Sequence, residues 1–126
     1  MTFAHRIVAY AVPAGFALLA LWALVAWVAK REPHRWFWVL LGTVQVVVGV
    51  QVVVGVLLLA TGARPATPGP QWLHYAYGGL FPVVVLVLAH RWARRLESLA
   101  WVAFGAAGFI NFGLTFRALQ TGLGIG

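Results

Sequence analysis

Hydrophobic positions fall in four long runs that are separated by short polar, basic or proline-rich segments. The runs cover residues 4–29, 36–60, 72–92 and 99–119, and each has roughly the 20 residues that an α-helix needs to cross the hydrocarbon core of a bilayer. Because the runs leave no room for a soluble domain, residues 1–126 are predicted to form a single transmembrane domain. The predicted fold is all-α: an integral membrane four-helix bundle made of two similar helical hairpins.

The first and third predicted helices begin with the same arrangement of residues. Each has a histidine, then a small residue four positions later, then a proline after four more: His5, Ala9 and Pro13 in one helix, His74, Gly78 and Pro82 in the other. Residues four apart lie on the same face of a helix. An ionisable side chain inside a membrane is costly unless it faces a bundle interior and finds a partner there. The pattern therefore predicts a histidine-lined gap with room for a flat cofactor.

The second predicted helix contains an internal duplication, because VQVVVG occurs at residues 44–49 and again at residues 50–55. A repeat of six places Gln45 and Gln51 roughly 120° apart around the helix, so they cannot both line one face. Gly42, Gln45 and Gly49 do share a face, which favours close helix packing around one interior amide. Gln45 and Gly49 are therefore candidate cofactor contacts, and ordinary helix packing with one hydrogen bond remains the alternative.

Composition supports a membrane location, since 63% of the residues are hydrophobic and only 9% are charged. The formal net charge of +7 comes from basic residues at the ends of apolar runs, so it indicates membrane topology and no nucleic-acid surface. Two basic clusters follow the first and third helices and share one side: Lys30, Arg31 and Arg35, and Arg91, Arg94 and Arg95. The positive-inside rule predicts a multi-pass cell-membrane protein. Both termini, together with His5 and His74, are expected on the outer side.

The chain has no cysteine, so disulfides, thiolate metal sites and iron–sulfur clusters are excluded. His5 and His74 are the candidate metal ligands, because they open parallel helices and lie at one depth. Two histidines beside small residues suit a haem with two axial imidazoles, whereas zinc or copper would need further ligands. The alternative is a pair of histidines at the membrane interface that bind nothing.

Other residues extend this candidate site. Arg6 and Arg117 are predicted at the same end, where each guanidinium would bind a haem propionate or, alternatively, a lipid phosphate. The predicted cofactor contacts are thus His5, Arg6, Ala9, Gln45, Gly49, His74, Gly78 and Arg117. His90 is 16 residues after His74, or about 24 Å along a helix, so it cannot join this site. A second site formed by His34 and His90 at the cytoplasmic side is left open.

Residues 5–90 resemble one four-helix half of the haem A synthase family. The resemblance consists of a helix opening with His5 and Arg6, the run VQVVVGVQVVVGVLLLATG, and a helix opening with His74. It implies a haem held on the outer side between His5 and His74 as axial ligands. The chain has half the family's usual length, lacks the cysteine pair of many members, and has Thr2 where the catalytic half has a glutamate. The resemblance therefore supports haem binding more than haem oxidation.

The sequence predicts a b-type haem protein that transfers electrons or handles haem in the lipid bilayer. It is expected to act as a homo-oligomer or as a small subunit of a larger respiratory complex. Two alternatives remain: a half-length haem A synthase-like enzyme that oxidises a haem methyl group, and a structural membrane subunit without a cofactor. No catalytic residue is assigned, and a spectrum of the purified protein distinguishes the cofactor-free case.

Overall fold

The computed structural model describes residues 3–64 and 70–124, which form helices joined by turns, with no strand among them. The all-α prediction is therefore confirmed for this part of the chain. The elements are α1 (Phe3–Val28), α2 (Trp36–Ala60), α3 (Trp72–Tyr75), a π-helix (Ala76–Leu80), α4 (Phe81–Leu96), a 3-10 turn (Glu97–Leu99) and α5 (Ala100–Gly122).

Three continuous helical stretches of the described chain are long and apolar enough to cross a membrane. They are Phe3–Val28, Trp36–Ala60 and Trp72–Gly122. The last stretch has 51 residues and changes direction at the 3-10 turn, where Glu97 adopts a positive φ of 53°. Large apolar side chains are exposed along these helices, including Leu24, Val53 and Phe109 at 58, 58 and 70%. This distribution is typical of helices that contact lipid.

Helices α1 and α5 form the tightest contact in the core, and glycines make it possible. A Cβ atom at Gly108 would lie 3.0 Å from the carbonyl oxygen of Phe16, and one at Gly105 would overlap Ala23. Small residues at such positions allow two helix backbones to approach closely. Phe16 and Leu19 are fully buried beside this contact.

The close approach predicted for the glycine face of α2 is absent from the described structure. A Cβ at Gly42 or Gly49 would meet nothing within 4 Å. Helix α2 instead approaches α1 through Gly15, whose added Cβ would lie 2.6 Å from Val44 Cγ2. The glycine that allows the close approach to Val44 is therefore Gly15 in α1, whereas Gly42 and Gly49 of α2 have open space beside them.

Neighbouring long helices are antiparallel, as their contacts show. Near one end of α1, His5 lies within 3.4 Å of Gln51 in α2, and near the other end Trp22 packs edge-on against Phe37 at 5.9 Å. His74, at the start of α3, contacts Ala118 near the end of α5. We call the end with His5 and His74 the histidine end and the opposite end, where the two basic clusters lie, the basic end.

The predicted third helix is divided by the π-helix, which ends two residues before Pro82. Proline has no N–H group and its ring crowds the carbonyl of the residue four positions earlier, so a wider turn relieves the crowding. Asn111, which is 0% exposed, donates from Nδ2 to the carbonyl oxygen of Pro82 at 3.2 Å. This hydrogen bond joins α4 to α5.

Candidate functional site

A cavity of about 360 Å³ opens at the histidine end of the helices. Residues of α1, α2, α3, the π-helix, α4 and α5 line it, and most of the lining is apolar. Part of its lining is exposed, including Leu59, Ala63 and Arg64, and we call this exposed part its mouth. Its volume lies at the lower end of the range of roughly 300 to 1,000 Å³ found for small-molecule sites. The open mouth allows part of a larger ligand to extend out of the cavity.

His5 and His74 line this cavity together, as their matching positions in the sequence predict. Their ring centroids are 6.4 Å apart and the rings are inclined by 64°. Metal–imidazole bonds are about 2.0 Å long, so two imidazoles on opposite sides of one metal ion have centroids roughly 6 to 6.5 Å apart. Rotation of one ring relative to the other about the line through the metal preserves both bonds. Their separation therefore matches a pair of axial ligands.

The ring of His74 is oriented by α5. Its Nδ1 lies 3.0 Å from the carbonyl oxygen of Ala118 and 3.1 Å from Oγ1 of Thr121. Because a carbonyl oxygen only accepts hydrogen bonds, Nδ1 of a neutral His74 carries the proton and donates it. The other nitrogen, Nε2, is then unprotonated and available to a metal. Metal-binding histidines are commonly held in this way, with the second nitrogen donating to a carbonyl.

His5 is more deeply placed, with 6% of its surface exposed. Gln51 of α2 donates from Nε2 to the carbonyl oxygen of His5 at 3.4 Å, and the same amide nitrogen lies 3.4 Å from His5 Nε2. Contacts of this length are at the weak limit of hydrogen bonding. Gln51 therefore orients the start of α1 without a strong bond to the ring nitrogen.

Small residues surround the two imidazoles. Ala9, Gly55 and Gly78 all line the cavity. A Cβ at Gly55 would lie 3.9 Å from His5 Cε1, and one at Gly78 would lie 3.2 Å from Ala118 Cβ. Larger side chains at these positions would enter the space beside the histidines. The structure thus places the predicted residues His5, Ala9, His74 and Gly78 around one cavity.

Four other predicted contacts lie outside the cavity lining. Gln45 accepts from His90, with 2.6 Å between His90 Nε2 and Gln45 Oε1, and Gly49 is exposed. Arg6 is exposed, while half-buried Arg117 donates to Gln120 Oε1 at 3.4 Å. The part of α2 that lines the cavity therefore contains Gln51 and Gly55, in the second copy of the repeated hexapeptide. No residue of the first copy, at positions 44–49, lines the cavity.

Gln51 and Gly55 line the cavity but were not predicted from the sequence. Both could have been identified from their depth in the membrane relative to His5. His5 lies near the start of α1 and α2 runs antiparallel to it, so residues near the end of α2 lie at the depth of His5. This count favours Gln51 and Gly55 over their counterparts six residues earlier, about 9 Å away along the helix. The same count does not predict the position of Arg64, because this residue follows α2 and its place depends on the path of the chain after the helix.

The remaining histidines have partners elsewhere. His34 Nδ1 accepts from the backbone N–H of Trp36 at 3.3 Å, at the start of α2. His90 bonds to Gln45 and packs edge-on against Phe104, with centroids 4.8 Å apart. Thr2, which stands where the catalytic half of the haem A synthase family has a glutamate, lies outside the described residues.

The donor set of the cavity limits what it can bind. Within residues 3–64 and 70–124, no three side chains of histidine, cysteine, aspartate or glutamate come together as a metal cluster. The cavity offers two imidazoles and no carboxylate among its described lining residues. A bare zinc or copper ion would lack ligands in such a site. A metal whose other four donors come from a macrocycle needs only two axial histidines.

Comparison with known proteins adds no relative: no family model, curated protein or solved structure matches this chain.

Proposed function

We propose that this protein is a membrane four-helix bundle that binds one b-type haem between His5 and His74 and serves in electron transfer or haem handling. The four helices of the proposed bundle are α1, α2, the combined segment from α3 to α4, and α5. The observation that carries the proposal is the separation of 6.4 Å between two imidazoles across a cavity lined by small and apolar residues. The haem A synthase resemblance of residues 5–90 points in the same direction.

Different residues would bind the metal of the cofactor, orient its ligands and leave room for its ring. His5 and His74 would supply the nitrogens that bind the haem iron, and the contacts with Ala118 and Thr121 orient the ring of His74. Ala9, Gly55 and Gly78 leave room for the faces of a flat ring beside the imidazoles, and the apolar lining excludes water from them. A haem with both axial positions occupied by histidine carries single electrons between its ferric and ferrous states.

The proposed placement is a cell membrane with both chain termini and the histidine end outside. The basic clusters support this orientation, because basic residues are retained at the cytoplasmic surface. A homo-oligomer or a small subunit of a respiratory complex suits a bundle of this size. The many exposed apolar side chains of α2 are available to lipid or to such partners.

The enzyme alternative has less support from the described residues. Oxidation of a haem methyl group needs a group that manages protons near the reacting carbon. The two acidic residues of the chain, Glu32 and Glu97, follow α1 and α4 at the basic end. Both acidic side chains therefore lie at the end opposite to the cavity.

The test is to purify the full chain in detergent, extract its pigment and follow its reduction. We expect haem b that is reduced by dithionite and reoxidised reversibly, and no haem A in cells that also make haem O. Haem A or its hydroxylated precursor, detected by mass spectrometry and dependent on both histidines, would favour the enzyme. A purified protein without a Soret band would favour the structural subunit.

A further inference from the structure

Arg64 lies at the mouth of the cavity and is held there by the end of α2. Its Nη1 donates to the carbonyl oxygen of Leu59 at 3.0 Å and to that of Ala63 at 2.8 Å. The Leu59 carbonyl belongs to the last turn of α2, where carbonyl groups have no partner within the helix, so an arginine that follows is well placed to bind it. Both hydrogens of Nη1 are thereby used, which fixes the orientation of the guanidinium plane.

The opposite edge of this guanidinium stays available. Nε and Nη2 retain three N–H groups, and none of them bonds to another residue in the described part of the chain. Two of these groups lie parallel, in the geometry that binds both oxygens of a carboxylate. Arg64 lines the same cavity as His5 and His74.

Neither acidic side chain of residues 1–126 can reach Arg64. The only acidic residues are Glu32 and Glu97, at the basic end. The 26 residues of α1 separate the two ends, a distance of roughly 35 to 40 Å at about 1.5 Å per residue. Neither acidic side chain is therefore the anion that pairs with Arg64, and a bound ligand can supply one.

We infer that Arg64 binds a carboxylate of the ligand held between His5 and His74, which for a haem is a propionate group. The inference rests on the proposed function and assigns this contact to Arg64, because Arg6 and Arg117 do not line the cavity. A lipid phosphate is the other anion that would satisfy the same guanidinium. Esterification of the ligand separates the two sources, because it removes the ligand's charge and leaves the lipid unchanged.

The experiment titrates the full chain, in a detergent with a neutral headgroup, with haemin and with haemin dimethyl ester. Wild-type protein should bind haemin more tightly than the diester. Arg64→Gln should weaken haemin binding by roughly two- to fivefold, the range for an exposed ion pair, and leave diester binding unchanged. Arg64→Lys should fall between, because an ammonium lacks the two parallel N–H groups. Arg31→Gln, the same change at the basic end, should affect neither ligand.

Three other results would contradict either the carboxylate contact of Arg64 or the proposed function. An equal loss of haemin and diester binding in Arg64→Gln would mean that Arg64 only shapes the cavity. Unchanged haemin binding would leave Arg64 with lipid or solvent as its partner. Either result overturns the carboxylate contact and leaves the histidine ligands standing. Wild-type protein that binds neither compound would overturn the proposed function itself, and this contact with it.

Discussion

The Nδ1 atom of His74 lies 3.0 Å from the carbonyl oxygen of Ala118, although 44 positions separate the two residues in the chain. This contact joins the beginning of one helical segment to the end of the next and decides which ring nitrogen of His74 is unprotonated. Thr121 reinforces it, because its hydroxyl lies 3.1 Å from the same Nδ1 and donates to the Ala118 carbonyl at 2.9 Å.

Thr121→Val removes the hydroxyl and retains the shape of the side chain. Because a second contact of a metal-binding histidine is worth 10- to 100-fold in affinity and Ala118 remains in place, we expect haem affinity to fall by about tenfold. The reduction potential should shift as well, since the basicity of the axial nitrogen changes.

The matched control is Thr43→Val, because Thr43 is exposed and donates only to the carbonyl oxygen of Val39 within α2. It should leave haem affinity and potential unchanged. Titration with haemin and redox potentiometry provide the measurements. A Thr121→Val protein with wild-type affinity and potential would show that the hydroxyl does not support His74.

The duplicated hexapeptide of α2 provides a second test, because Gly49 and Gly55 have the same sequence neighbours and different surroundings. A Cβ at Gly55 would contact His5 at 3.9 Å, whereas one at Gly49 would meet nothing within 4 Å. Gly55→Phe should fill the cavity and abolish haem binding, while Gly49→Phe should retain it. Circular dichroism checks that both proteins stay helical. Similar haem content in the two variants would contradict the position of the cavity.

Two of the long helices and part of the cavity lining could be predicted from the sequence. Both histidines precede small residues at helical spacing, which places each pair on one helix face. The four apolar runs give the limits of α1 and α2 within about two residues. The spacing of four also gives Ala9 and Gly78, since it follows from helix geometry alone. These features are local, so a periodic pattern is sufficient to predict them.

The choice between Gln45 and Gln51 is not local. The repeat makes both glutamines equivalent in sequence, and only the depth of His5 against α2 separates them. The π-helix before Pro82 and the position of Arg64 depend on packing against α5 and on how the chain leaves α2. Such features arise from tertiary contacts that a single helix pattern does not contain.

The contact between α1 and α5 can be tested on a second pair of glycines. Gly108→Val would place a Cβ 3.0 Å from the Phe16 carbonyl oxygen, and the backbone of α1 would have to move. Overpacking of this kind costs about 1 to 3 kcal/mol. Gly113→Val, in the same helix with nothing within 4 Å of its Cβ, should cost much less.

Thermal unfolding in detergent, followed by circular dichroism, compares the two variants. The melting temperature of Gly108→Val should fall by several degrees more than that of Gly113→Val. Equal melting temperatures would contradict the close contact of α1 with α5.

The most direct test of the histidine pair is the absorption spectrum of the purified full chain and of its four histidine-to-alanine variants. Wild-type protein, His34→Ala and His90→Ala should show the sharp visible bands of low-spin haem b after reduction. His5→Ala and His74→Ala should each lose them, because a single remaining imidazole leaves one axial position open. A wild-type low-spin spectrum in either His5→Ala or His74→Ala would contradict the assignment of these two residues as the haem ligands.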